Sequence, residues 1–178
     1  MNSIFWQSKN KETQLFLGDS LEILKEFPEQ HFDMIFADPP YFLSNGGVTC
    51  HNGRMTSVDK GEWDKSKGIR QDHDFVLQWL TLCKRVLKKD GTIWVSGTHH
   101  IIYSVGYALQ ELEFKILNDI IWYKPNASPN LSCRYFTHST EILIWAAKSN
   151  SSRHTFNYDF VKSLNKNRQM RNLLLLRN

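Results

Sequence analysis

The stretch FADPPYFLSNGG, Phe36 to Gly47, sets an acid, two prolines and a tyrosine directly behind the apolar run DMIF, and a glycine-rich loop follows. Pro39 and Pro40 fix φ and carry no N–H, so their carbonyls can only accept hydrogen bonds. Asp38 adds carboxylate acceptors, and a site with acceptors and no donors suits an amino group. Tyr41, held by the rigid turn, offers a flat face for stacking. Together the four residues would grip a planar heterocycle bearing an exocyclic NH2, with both N–H bonds held so that the nitrogen lone pair becomes available. Positioning and charge complementarity then do most of the work, without a covalent nucleophile. The plainer alternative is a proline turn in which Asp38 caps a helix and Tyr41 is packed.

Elements must deliver that turn to one place. QLFLGDSLEILKEF (Gln14 to Phe27) reads as a short strand, a Gly-Asp turn and a helix, with Leu21, Leu24 and Phe27 at helical spacing and Asp19 or Ser20 as cap. DMIFA (Asp33 to Ala37) lacks polar alternation and reads as a strand covered on both faces. Ser44 to Arg70 is rich in Gly, Ser, Asn and charge and is expected to be a long functional loop. Asp74 to Gly91 predicts an amphipathic helix with a basic end and a glycine stop. Strands are expected at Thr92 to Gly97, Phe114 to Lys124 and Glu141 to Lys148, with a helix from His100 to Glu113. The residues after Asn150 are polar, basic and weakly patterned. Alternating strands and helices predict an α/β fold with a mostly parallel sheet, in which ligands bind beyond the carboxyl ends of the strands. Gly18-Asp19, Asp38 to Tyr41 and Ser96-Gly97-Thr98 all lie at such ends.

The 178 residues suit one domain with a substantial core. A net charge of +4 is only weakly suggestive of a polyanionic partner, whereas 13% aromatic residues exceed what a bland core needs and fit stacking on unpaired bases. Cys50, Cys83 and Cys133 are odd in number and lack CxxC spacing, and Cys50-His51 has no second pair, so neither a disulfide framework nor a metal site is expected. The longest apolar run is too short to span a bilayer and no leader is visible, so the expected location is cytoplasmic.

Five stretches carry a family resemblance: FADPPYFLSNGG, SVDKGEWDK (Ser57 to Lys65), LKKDGTIWVSGTHHIIYSVG (Leu87 to Gly106), FKILNDIIWYK (Phe114 to Lys124) and PNLSCRYFTHSTEILIWA (Pro129 to Ala146). Over roughly residues 14 to 170 the chain resembles the β-class adenine-N6 DNA methyltransferases of bacterial restriction–modification systems, most of all the accessory GATC methyltransferases of Dpn-II-type systems. The resemblance implies a Rossmann-like fold and transfer of a methyl group from S-adenosylmethionine to adenine N6 in DNA, double- or single-stranded, with the base flipped out. It implies that Asp38 binds the amine and sits beside the methionine end of the cofactor, that the Pro39 carbonyl is the second acceptor within the turn closed by Pro40, and that Tyr41 stacks on adenine. On that reading stacking needs only the ring, so Tyr41→Phe is expected to be mild. Asp19 resembles the acid that contacts the cofactor; its alternative role is a helix cap. The loop from Ser44 to Arg70 would close over the base.

Residues 1–124 are expected to hold the catalytic part, 125–170 the target-recognition region, and 171–178 an atypical tail. Lys124 and Arg134 are candidates for phosphate contacts, Asn126 and Asn130 for base edges. The tail cations Arg153, Lys162, Lys166, Arg168 and Arg171 either track the DNA backbone or form a solvated face. His99 and His100 are expected to be turn residues. The resemblance also implies a further segment carrying a glycine turn for the cofactor, which these residues lack. The expected consequences are an open edge on the strand ending at Asp38, loss of the sheet link of the strand ending at Asp19, weak cofactor binding, and a companion chain or homodimer as partner. A non-catalytic DNA-binding remnant and a cytosine-N4 DNA methyltransferase are the alternatives, the latter disfavoured by Asp38 because that class more often has Ser-Pro-Pro-Tyr.

Overall fold

The computed structural model describes residues 4–44, 48–51, 54–57 and 59–175; the Gly46-Gly47 pair assigned to the catalytic loop lies outside them. In chain order the elements are β1 (Ile4–Gln7), β2 (Gln14–Phe16), α1 (Ser20–Glu26), β3 (Phe32–Ala37), β4 (Val48–His51), β5 (Arg54–Ser57), a 3-10 turn (Glu62–Asp64), α2 (Ile69–Val86), β6 (Leu87–Gly97), α3 (Ile102–Glu111), β7 (Lys115–Tyr123), β8 (Thr140–Ala147), α4 (Tyr158–Ser163) and β9 (Leu173–Leu175). The main sheet has the order β3-β6-β8-β7-β9. β3 is parallel to β6 and β7 to β9, while β8 is antiparallel to both of its neighbours. Four strands thus point the same way and β8 alone runs against them. The chain leaves β7 at its carboxyl end, makes the irregular excursion from Lys124 to Ser139 and re-enters as β8 at that same end. The fold is α/β with a mixed sheet.

One face of this sheet carries the core. Ile93 and Val95 of β6 and Ile144 and Ala146 of β8 pack with Val76, Leu80 and Cys83 of α2 and with Val105, Ala108 and Leu109 of α3. α2 turns Val76, Trp79, Leu80, Cys83 and Val86 inward at spacings of three and four residues, and each such side chain contributes roughly 1.5–3 kcal/mol on burial. Burial with no charged partner pushes the Cys83 thiol up to about 12. The helix begins at Ile69 and ends at Val86, ahead of the glycine stop expected at Gly91. Gly91 serves instead inside β6, where a Cβ would lie 2.8 Å from Leu87 Cγ and 3.0 Å from the Asp33 carbonyl oxygen. Arg85, one of the basic residues closing α2, donates to the carbonyls of Leu24 and Phe27 at 2.8 and 2.9 Å and so ties down the end of α1.

β3 departs from the reading of a strand covered on both faces. Ile35 faces the core, but Met34 and Phe36 are each 58% exposed. β3 lies at the edge of the sheet, and among the described residues its outer side has no partner. Among the described residues β2, the strand leading to Asp19, pairs with β1 alone, in a separate two-stranded sheet. On the far face, Trp94 and Trp145 stack at 5.0 Å, with Phe156 against Trp145. The expected long loop holds the β4–β5 hairpin and the 3-10 turn. The leucines assigned to an atypical tail add β9 beside β7. No described helix is long and apolar enough to cross a membrane.

Candidate active site

Register places the chemistry. Ala37 lies opposite Val95 on parallel strands, so Asp38, just past the end of β3, comes beside Ser96, which is still paired within β6. Because β8 runs the other way, its first residues return to the same end, where Glu141 faces Trp122 of β7. These strand ends, with Pro39, Pro40, Tyr41, Lys60, Trp63, Asp64 and Leu143, enclose a cavity of about 400 Å³. Within it Asp38 Oδ1 accepts from the Tyr41 hydroxyl at 2.8 Å and from buried Ser96 Oγ at 2.5 Å. Asp38 Oδ2 has no hydrogen-bond partner among the described residues. One carboxylate oxygen is thereby fixed by donors and the other is left to accept. Burial pushes the Tyr41 phenol well above its ordinary range, opposed next by Ser96 and reinforced to a smaller degree by Asp38 and Glu141. Tyr41 therefore remains protonated and a donor. Its hydroxyl is not idle, contrary to the reading in which only the ring matters.

The backbone after the prolines is held from a distance. Asp64, wholly buried, accepts from Tyr41 N at 3.1 Å and Phe42 N at 3.0 Å on Oδ1, and from Leu43 N at 3.2 Å and Ser44 Oγ at 2.7 Å on Oδ2. Phe42 adopts φ +56°, a left-handed turn that lets successive N–H groups converge. Sequence reasoning missed Asp64, since no periodicity marks it, and gave Ser96 only as part of a strand end. Glu141, Trp122 and Trp63 were also missed; their signal is position at a carboxyl-end opening, which appears only once strand order is known.

Asp19 caps α1, accepting from Leu21 N at 2.8 Å. It also borders a second cavity of about 790 Å³ with Gly18, Ser20, Pro40, Phe42, Trp63 and Phe75. The two cavities share Pro40 and Trp63 as a common wall. Lys124 bonds Glu141 and lies 4.7 Å over the ring of Trp122, two residues that line the first cavity. Asn130 spends its side chain on its own loop, donating to the Tyr135 carbonyl and accepting from Ser132 N and Oγ. Asn126 and Arg134 are exposed on the excursion between β7 and β8, beside Tyr135 and the 96% exposed Phe136. His99 and His100 stand in the turn after β6, as expected, where His99 stacks on His138 at 4.4 Å. Among the described residues no group of three His, Cys, Asp or Glu could hold a metal ion.

With this arrangement in view, comparison with known proteins is decisive. Residues 32–174 match the DNA methylase family model. The chain belongs to this family. A curated family relative, the Type II methyltransferase M2.DpnII of Streptococcus pneumoniae, is 51% identical over 169 residues, which cover 94% of this chain and 63% of the relative. The chain therefore spans less than two thirds of that relative's length. Among solved structures, PvuII DNA methyltransferase (cytosine-N4-specific) has a TM-score of 0.66 at 21% identity, covering 93% of this chain and 57% of that one. The M1.HpyAVI–SAM complex has a TM-score of 0.52 at 21% identity, covering 79% of this chain and 56% of that one. At such identities the structures show a shared fold.

Proposed function

We propose that this chain carries the catalytic and target-recognition parts of a restriction–modification DNA methyltransferase that uses S-adenosylmethionine to methylate adenine N6, with GATC as the site implied by resemblance. The observation that carries the reading is Asp38: one oxygen saturated by Tyr41 and Ser96, the other without a hydrogen-bond partner among the described residues, in a residue that lines a cavity with Pro39, Pro40 and aromatic rings. Asp38 Oδ2 and the Pro39 carbonyl accept the two amine hydrogens of a flipped base, which holds the nitrogen with its lone pair toward the shared wall. Tyr41 supplies a stacking face while its hydroxyl holds the carboxylate. As the N–C bond formed, the methyl–sulfur bond of the bound cofactor would break with its electron pair left on sulfur, and the positive charge gained by the amine would be stabilised by Asp38 until the surplus proton passed to solvent.

The second cavity fits the cofactor in size and position, since ligand sites commonly enclose roughly 300–1,000 Å³, and Asp19 on its border offers the acid that the resemblance requires. When bound there, S-adenosylmethionine supplies an electrophilic methyl group. Asp19 keeps one carboxylate oxygen available beyond its capping bond. DNA contact is assigned to the excursion between β7 and β8, with exposed Arg134 and Asn126 at phosphates and base edges and Phe136 as a stacking ring. Lys124 positions Glu141 and Trp122, and Asn130 shapes the loop. The open edge of β3 and the exposed Met34 and Phe36 support completion of the sheet by a companion segment; a second copy of the chain would meet the same backbone groups. A cytoplasmic location accords with a DNA substrate.

The test is methyl transfer from labelled S-adenosylmethionine to duplex and single-stranded GATC oligonucleotides, by the chain supplied with the companion segment. N6-methyladenine should form, and Asp38→Ala should abolish it while DNA binding persists. Absence of modified adenine from every substrate would overturn the proposal, and N4-methylcytosine would redirect it to the other amine.

A further inference from the structure

The geometry points to Asp64 as a positioning residue that sets Tyr41 and Trp63 around the base from within the segment preceding α2. This inference rests on the proposed reading of the Asp38 cavity. Asp64 is fully buried, yet its carboxylate is consumed by three consecutive backbone N–H groups, those of Tyr41, Phe42 and Leu43, and by Ser44 Oγ. Ser44 N returns a bond to the Asp64 carbonyl at 3.2 Å, and Ser44 Oγ also accepts from Lys60 N at 2.9 Å. The turn after the prolines and the segment from Lys60 to Lys65 are thus one hydrogen-bonded unit, although their residues lie 16 to 23 positions apart in sequence. A cluster of converging N–H groups is an anion-binding arrangement. Here the anion is internal, and it holds Phe42 in its left-handed conformation.

The consequence for catalysis is geometric. Tyr41 reaches Asp38 through its hydroxyl only because its backbone N–H is pinned to Asp64. Trp63, the neighbour of Asp64 and 61% exposed, is presented by the same anchor to the wall between the two cavities. Asp64 itself faces its four donors rather than the reacting atoms, so it acts through Tyr41 and Trp63. Asp64→Asn keeps the shape but turns an acceptor into an NH2 that meets the Leu43 N–H and Ser44 hydroxyl.

Amide hydrogen exchange of the 178-residue chain reads the latch directly. In Asp64→Asn the Leu43 amide should lose its protection and those of Tyr41 and Phe42, left on a neutral oxygen, should lose part of theirs, while those of Ile93 and Val95 in β6 keep theirs. In the completed enzyme kcat should fall about 100-fold, with KM for DNA little changed. Retained protection at residues 41–43, equal loss throughout β6, or wild-type kcat would each overturn the inference. Should Asp64→Asn fail to fold, Ser44→Ala removes a single donor; faster exchange at Lys60 and a fall in kcat support the latch, and unchanged values overturn it. If the wild-type enzyme transfers no methyl group but the 41–43 amides open in the variant, the latch stands and the proposed reaction fails.

Discussion

Replacing the two donors on Asp38 Oδ1 separates a positioned carboxylate from one that is merely nearby. Tyr41→Phe removes the 2.8 Å hydroxyl bond and leaves the ring; Ser96→Ala removes the 2.5 Å bond from a buried side chain. A hydrogen bond to a charged acceptor is worth roughly 1.5–3 kcal/mol. Asp38 opens to solvent, which argues for the lower end, about 1–1.5 kcal/mol. Each single change should then lower kcat about tenfold. The donors share one oxygen, so the double variant should depart from additivity by at least about 0.5 kcal/mol. Tyr41→Ala, which also removes the stacking face, should be worse than Tyr41→Phe. The assay is single-turnover methyl transfer by the completed enzyme, with anisotropy on the same oligonucleotide to confirm unchanged DNA binding. Wild-type kcat in both Tyr41→Phe and Ser96→Ala would refute the argument that Oδ1 must be saturated for Oδ2 to work.

Burial, with the neighbouring histidines second, lowers the protonation ranges of His99 and His100. The folded state thus binds fewer protons than the unfolded one, so stability is complete above the unfolded value of about 6.5 and is lost as pH falls from there through the lowered folded value; Tm should drop on acidification, and less so in the double variant His99→Asn, His138→Asn. Lys124→Ala should free Glu141 and Trp122 in the base cavity, and in salt titrations of DNA binding its slope should stay near wild type, whereas Arg134→Ala should reduce the slope by about one. Met34→Lys, on the exposed edge strand, should lessen self-association in light scattering with Tm nearly unchanged.

The sequence alone determined the elements whose signals are local. Periodicity marked α2 and α3, apolar runs marked β6, β7 and β8, and the rigid Asp38-Pro39-Pro40-Tyr41 turn announced its acceptor chemistry, because proline and carboxylate properties do not depend on distant residues. Boundaries slipped where context intervened: Gly91 looks like a helix stop, yet it lies within β6, where Leu87 and the Asp33 carbonyl leave no room for a Cβ. What only the tertiary structure decided is nonlocal by nature. Strand order brings Ser96 to Asp38 and Glu141 to Trp122, and reversal of β8 returns its first residues to the end of the sheet that holds Asp38. Lys124, a surface cation by composition, is paired with Glu141 of β8. Asp64 shows the limit most clearly: a buried carboxylate is stable only where donors converge, and those donors lie 20 to 23 residues earlier in the chain.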